Sequence, residues 1–289
     1  MTAPRTWLVA ARDPESAPRA LARAHVLAAP GDRIVLAHAR RRGLLELLGA
    51  DAQRAAAPEP PAGLVDDAGW LDALRARTPA PVAIALESAV VDGEAAPALA
   101  ALAARLGAVA IVAAPARRGA AREFALGSTL LRLLRGSSTP VVVAHSDPDE
   151  RWRSAAAAVT ADPSGLRVVA AARALAPAAA LTLLHCWRVP EEGRLRLQGV
   201  DPARIAAVRD WARASAEGAL GEVRCAAPDA PLVLHEGHAA SAILDWGRQA
   251  KPDVLIVAAH RGAAAQERLL GSVTQFLLYH WPGDLVLVP

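Results

Sequence analysis

Residues 251–289 read KPDVLIVAAHRGAAAQERLLGSVTQFLLYHWPGDLVLVP, and the order of elements in this stretch decides the fold. Val254-Leu255-Ile256-Val257 is a short continuous apolar run rich in β-branched residues, the pattern of a buried parallel strand. Ala258 to Leu270 crosses to a helix opened by Gly271-Ser272, with Ser272 as N-cap and Gln275 three residues on as the second half of a capping box. That helix runs to about His280. Trp281-Pro282-Gly283-Asp284 stops it with turn residues, and Leu285 to Val288 forms a last strand.

The pattern occurs twice, 144 positions apart (271 − 127), since Gly271 answers Gly127. Ala110 to Ala113 is the earlier strand, Gly127-Ser128 opens the earlier helix, Gly136-Ser137-Ser138-Thr139-Pro140 is the turn, and Val141 to Val143 closes. Gly93-Glu94-Ala95-Ala96 lies opposite Gly237-His238-Ala239-Ala240 in the same register. A gap-free repeat of this length indicates two copies of one domain. The 289 residues are enough for two such domains, each with its own core.

Going through the chain, Trp7 to Ala11 is a strand, Pro14 suits the first turn of a helix, and Glu15 to about Ala29 is that helix. Glu15, Arg19 and Arg23 share its wet face; Leu21, Ala24 and Leu27 share its dry one. Ile34 to His38 is the second strand. From Ala39 to Gly63 the sequence reads as loop around a short helix at Leu44 to Leu48. Asp66 to Arg77 is the second helix, Val82 to Leu86 the third strand, and Ala95 to Leu106 the third helix. The charged, proline-containing Ser146 to Arg151 marks a domain boundary, giving domains 1–146 and 152–289. The second copy reads Ala156 to Ala161, helix Leu166 to Leu175, Leu181 to His185, helix Pro202 to Leu220, Leu232 to His235, and helix Ser241 to Gln249. Strands alternating with helices of this length imply an α/β fold with a parallel sheet covered on both faces.

Composition narrows the function. Hydrophobic residues make up 53%, but no apolar run reaches the roughly 18 residues of a membrane span, and Met1 to Arg5 lacks a secretory h-region. A soluble cytoplasmic protein is expected. The net charge of +3 comes almost wholly from arginine, Lys251 being the sole lysine, and is spread along the chain, which argues against nucleic acid as partner. Cys186 and Cys225 read as buried thiols. His38 and His185 end equivalent second strands, and His235, His238 and His260 lie at strand ends of the second copy; their spacing gives no metal signature. The tryptophans read as core and interface anchors.

The alternating order, an Asp after the first strand (Asp13, Asp162) and the Gly-Ser helix start before a final apolar strand resemble the universal stress protein family in its tandem form. The resemblance implies adenine nucleotide alpha hydrolase-like sheets ordered 3-2-1-4-5, doubly wound, parallel and five-stranded, related by a pseudo-two-fold axis. It also implies pairing between the two domains within one chain, and leaves open a homodimer and an unidentified protein partner. In the family's nucleotide-binding branch the segment after the fourth strand reads Gly-x-x-Gly, nine residues, then Gly-Ser or Gly-Thr. Here the first copy has Ala114-Pro115-Ala116-Arg117 before Gly127-Ser128, and the second has Ala258-Ala259-His260-Arg261 before Gly271-Ser272. The final pair is kept and the first pair is lost, twice.

A glycine-rich loop binds phosphate because bare backbone N–H groups can approach the oxygens, and glycine tolerates left-handed backbone without strain. Arg117 and Arg261 replace the second glycine with a long cation, which either plugs the cleft or holds an anion through charge-assisted hydrogen bonds. Asp162 stands where the resemblance places a residue near adenine and ribose; a plain helix N-cap beside Pro163 would look the same. Asp13 is its weaker counterpart, because by direct count Arg12 takes the family's Asp position. Ser128 and Ser272 could touch phosphate at a helix N-terminus or serve as simple caps. Gly262 beside Arg261 and the retained Gly271-Ser272 favour the second copy for any adenine nucleotide.

No nucleophile elbow, zinc-protease helix, complete P-loop or repeated carboxylate pair occurs. The expected function is therefore a non-enzymatic stress-response binding or regulatory protein, with no cofactor or weakly held ATP. The alternatives are an ATP-binding protein using the second domain, and an adenine-nucleotide hydrolase-like enzyme. The enzyme would need a Ser-Gly-Gly-x-Asp-Ser loop after the first strand, where Arg12-Asp13-Pro14 and Ala161-Asp162-Pro163 stand instead.

Overall fold

A computed structural model describes residues 3–40, 67–78, 83–115, 127–145, 150–259 and 270–289. The chain divides into two units, Met1–Arg151 and Trp152–Pro289.

In the first unit the strands are β1 (Thr6–Ala10), β2 (Arg33–Arg40), β3 (Ala85–Asp92), β4 (Ala110–Ala113) and β5 (Val141–Val143), and the described helices are α1 (Ala17–Leu27), α2 (Asp67–Arg77), α3 (Ala95–Arg105) and α4 (Gly127–Gly136). The strand order is β3-β2-β1-β4-β5, all parallel. This is the 3-2-1-4-5 order expected from the resemblance. The centre is dry: Trp7, Leu8 and Val9 of β1 and Ile111 and Val112 of β4 are fully buried. On α1 the residues Ala17, Ala20, Leu21, Ala24 and Leu27 recur at helical spacing and turn to the sheet.

Several expectations shift in this unit. The third strand begins at Ala85 rather than Val82 and runs to Asp92, and its exposure alternates along its length. It lies at the edge of the unit's sheet beside β2, so polar Glu87 and Ser88 fit within it, and the apolar run was a poor marker. β2 reaches Arg40, where Arg40 pairs with Asp92 at 2.9 Å, so the expected loop from Ala39 starts later; its remainder lies outside the described residues. Arg23 is not on a wet face: it is 4% exposed and donates to the carbonyl of Glu150, while Arg19 donates to the carbonyl of Pro115.

The second unit holds β6 (Ser154–Ala158), β7 (Ala180–Trp187), β8 (Leu232–Glu236), β9 (Val254–Ala258) and β10 (Asp284–Val288), with helices α5 (Pro163–Leu175), α6 (Glu192–Leu197), α7 (Pro202–Ala219), α8 (Gly221–Ala226), α9 (Ala239–Ala250) and α10 (Ser272–His280). Its parallel order, β10-β9-β6-β7-β8, is the same topology. The repeat is visible in the backbone, since Gly93 at φ 123° and Gly237 at φ 146° precede α3 and α9 at matching positions, a conformation that glycine alone adopts freely.

Carboxylates tie together the N-terminal edges of the strands, Asp32 and Asp284 buried and Asp253 exposed. Asp32 accepts from the backbone N–H groups of Arg5 and Ala29, both at 2.9 Å, from Trp7 Nε1 at 3.0 Å and from the Arg5 guanidinium. Asp253 accepts from the N–H groups of Arg153 and Ser154. Asp284 is fully buried and accepts from Trp152 Nε1 at 2.9 Å, while its carbonyl accepts from Trp281 Nε1. Charge-assisted bonds to oriented N–H groups compensate the burial of such carboxylates. Trp7, Trp152 and Trp281 are thus core anchors as expected; Trp211 on α7 is 71% exposed and is not.

Candidate functional site

In the second unit β6 pairs with β7 on one side and β9 on the other, so chain connections leave its C-terminal end in opposite directions. Such a switch point in a doubly wound sheet leaves a crevice beyond the strand ends. A cavity of about 360 Å³ occupies it. Its floor is Ala158, Val159 and Thr160 after β6, with Val257 and Ala258 at the end of β9; Leu184, His185 and Cys186 of β7 form one wall. Ala239 and Ile243 of α9 and the first turn of α10, from Gly271 to Thr274, complete it.

The polar groups in this cavity are already engaged in particular ways. Thr274 Oγ1 donates to the carbonyl of Ala258 at 3.1 Å. Ser164 Oγ donates to Asp162, so the contact between Thr160 Oγ1 and Ser164 Oγ at 3.0 Å is donated by Thr160. His185 Nδ1 lies 2.8 Å from the carbonyl of Val159, and since a carbonyl only accepts, Nδ1 carries the proton. Burial pushes the Cys186 thiol up to about 11, which keeps it protonated and a weak nucleophile at neutral pH.

The sequence-predicted residues separate here. Ala258, Gly271 and Ser272 line the cavity together. Asp162 does not: β6 ends at Ala158 rather than at Ala161, so Asp162 is not directly after the strand. It caps α5, accepting from Ser164 N at 2.7 Å. The register is fixed by equivalent bonds, His38 Nδ1 to the Ala11 carbonyl and His185 Nδ1 to the Val159 carbonyl, which match Arg12 with Thr160. Thr160 therefore holds the position for which Asp162 was expected. Asp13 is also a turn residue: Ser16 N and Oγ donate to its Oδ1 at 2.7 and 2.9 Å, and Arg12 pairs with its Oδ2. Burial would raise the Asp13 pKa, but these bonds outweigh it and hold the carboxyl below its ordinary value.

The expected capping box at Ser272 is absent. Gly271 is the N-cap of α10 and no side chain caps it; the N–H of Gln275 instead bonds the Gly271 carbonyl. Gly127 opens α4 with Ser128 next to it in the helix. Arg117, Arg261 and Gly262 lie outside the described residues. Cys225 is exposed, contrary to the buried reading, because it sits on the short α8. Among the described residues no group of three or more His, Cys, Asp or Glu could hold a metal, and no helix is long and apolar enough to cross a membrane.

The corresponding place in the first unit contains only about 60 Å³. Leu130, at the position of Thr274 by the 144-residue offset, and Leu99, at that of Ile243, border it together with Arg12. Trp70 packs edge-on against His38, ring centroids 5.5 Å apart.

The universal stress protein family model matches residues 4–145 and again 154–289. The chain belongs to the universal stress protein family. Its tandem form is reflected in solved structures similar over the whole length. One is a putative universal stress protein from Pseudomonas aeruginosa UCBPP-PA14, 17% identical, covering 99% of this chain and 93% of that one with a TM-score of 0.61. Another is a universal stress protein from Archaeoglobus fulgidus DSM 4304, 14% identical over 97% of both chains with a TM-score of 0.57. At these identities the likeness concerns the fold. No curated protein sequence matches.

Leu184, Cys186, Ile243 and Val273 were missed by sequence reasoning. They are ordinary apolar strand and helix residues, and only the packing of distant elements puts them around one space.

Proposed function

We propose that this chain is a non-enzymatic binding and regulatory protein of the stress response, in which adenine nucleotide is held weakly at most, and by the second unit. The observation that carries this reading is the inequality of the equivalent crevices, about 360 Å³ in the second unit against about 60 Å³ in the first. A ligand has room in one and not in the other.

The weakness follows from two departures from the nucleotide-binding pattern. Ala258 brings a methyl group to the cavity floor where the family's loop has its first glycine, and the resemblance aligns Arg261 with the second. Thr160 supplies no carboxylate where the family carries Asp. Support for a non-enzymatic role comes from the engaged hydroxyls of Thr160 and Thr274 and the protonated Cys186 thiol, none of which is an activated nucleophile.

Calorimetric titration of ATP into the protein and into the Ala258→Gly, Arg261→Gly double variant tests it. Each restored backbone contact is worth about 1 to 3 kcal/mol, or about one to two decades of affinity, so the double variant should gain roughly two to four decades. Tight binding by the native protein with no gain in the variant would make the arginines ligands and the reading wrong. Steady ATP turnover would remove the non-enzymatic part.

A further inference from the structure

Building on the reading of the second unit as a binding module poor in nucleotide contacts, we infer that its cavity takes a neutral, mostly apolar molecule of one or two rings bearing one hydrogen-bond donor, received by His185 Nε2.

Charge is the first argument. Among the described residues that line the cavity none is Asp, Glu, Lys or Arg. An ionised group seated against these residues would lose hydration with no opposite charge from them to replace the lost water. The walls are aliphatic instead, from Val159, Leu184, Ile243, Val257 and Val273, which reward burial of hydrocarbon at about 25 cal/mol per Å².

The second argument is the hydrogen-bond inventory. The Thr160 and Thr274 hydroxyl protons are donated to Ser164 Oγ and to the Ala258 carbonyl. The Nδ1 proton of His185 is donated to the Val159 carbonyl, so in the neutral form of the ring the lone pair is at Nε2. No hydrogen bond to Nε2 is made among the described residues. A ligand donor satisfies it, and a ligand acceptor in the same place meets lone-pair repulsion. Ser272 Oγ also lines the cavity, but a hydroxyl can donate or accept, so discrimination between a ligand donor and a ligand acceptor rests on Nε2.

Size is the third. About 360 Å³ lies near the lower end of the roughly 300 to 1,000 Å³ typical of small-molecule sites, room for fused rings rather than for base, ribose and phosphates together.

The test is calorimetry on the full chain with 1-naphthol, its methyl ether, 1-naphthoate and ATP as probes. One 1-naphthol should bind per chain, the ether about tenfold more weakly for loss of its donor, and the naphthoate more weakly still. In His185→Phe the naphthol and its ether should bind alike. Ala239→Phe and Val273→Phe, on separate helices and both half-exposed, should each abolish naphthol binding; the pair guards against one variant failing to fold. Absence of naphthol binding, indifference to both filling substitutions, equal affinity for the ether, or preference for the naphthoate overturns the inference. Tight ATP binding would instead sink the weak-nucleotide reading beneath it, so the two failures are distinguishable.

Discussion

Gly165 in the first turn of α5 faces the main-chain carbonyl of Thr160 so closely that a β-carbon there would stand 2.1 Å from the oxygen. The obstacle is backbone, which cannot rotate away as a side chain could. Gly165→Ala should therefore push α5 from the sheet, destabilise the protein by about 1 to 3 kcal/mol, and alter the cavity floor that Thr160 helps form. Urea unfolding measures the loss; an unchanged midpoint would mean the helix has slack.

A similar contact joins α9 to the turn before β10. A β-carbon on Gly247 would lie 2.2 Å from Trp281 Cζ3, and that buried ring is held by its Nε1 bond to the Asp284 carbonyl at 3.1 Å. Gly247→Ala should again cost about 1 to 3 kcal/mol. In the Trp281→Leu background most of that cost should vanish, a non-additivity visible in a double-mutant cycle. Additive effects would show that the two do not share space.

Asp32 links acid stability to the first unit. Burial alone would raise its pKa, but the N–H groups of Ala29 and Arg5, Trp7 Nε1 and the Arg5 guanidinium outweigh burial and hold it below the ordinary 3.8. A depressed folded pKa contributes stability that is full above the unfolded value and is lost as pH falls through the folded one. Asp32→Asn should therefore be clearly less stable than native protein at pH 7, with the gap closing below about pH 4. Thermal unfolding from pH 7 to pH 3 would show this, and a constant gap would contradict it.

The thiols should react very unequally. Cys225 is exposed, whereas Cys186 is half-buried in the cavity wall with its pKa pushed up to about 11. Iodoacetamide at pH 7.5 should modify Cys225 and leave Cys186 largely intact, as peptide mass spectrometry can establish. Comparable labelling of both would show the cavity wall to be more open and polar than described.

How far the sequence could be read depended on how each element is buried. β4, β5 and the start of α4 were legible to the residue, because a central parallel strand is apolar throughout and glycine marks the helix start. β3 was misplaced since an edge strand carries polar residues such as Glu87. β6 was misplaced because Ala155 to Ala158 carries no register mark, and its start is fixed by Ser154 bonding to Asp253, 99 residues away. With the strand ending at Ala158, Asp162 is left capping α5, which is one of the two readings its sequence allows. The short α6 and α8 went unread; six residues are too few for periodicity to show. The cavity itself was invisible, since its volume depends on how side chains from three strands and two helices face one another.

Lys251 closes α9 in left-handed backbone geometry, φ 47° and ψ 52°, and is exposed. It is also the only lysine among 289 residues. Lysine-directed acylation therefore has a single side-chain address, at the end of a helix and on a backbone held in one conformation. A surface or a dye coupled there would meet every molecule from the same side, so tethering through this amine would present the protein in one orientation.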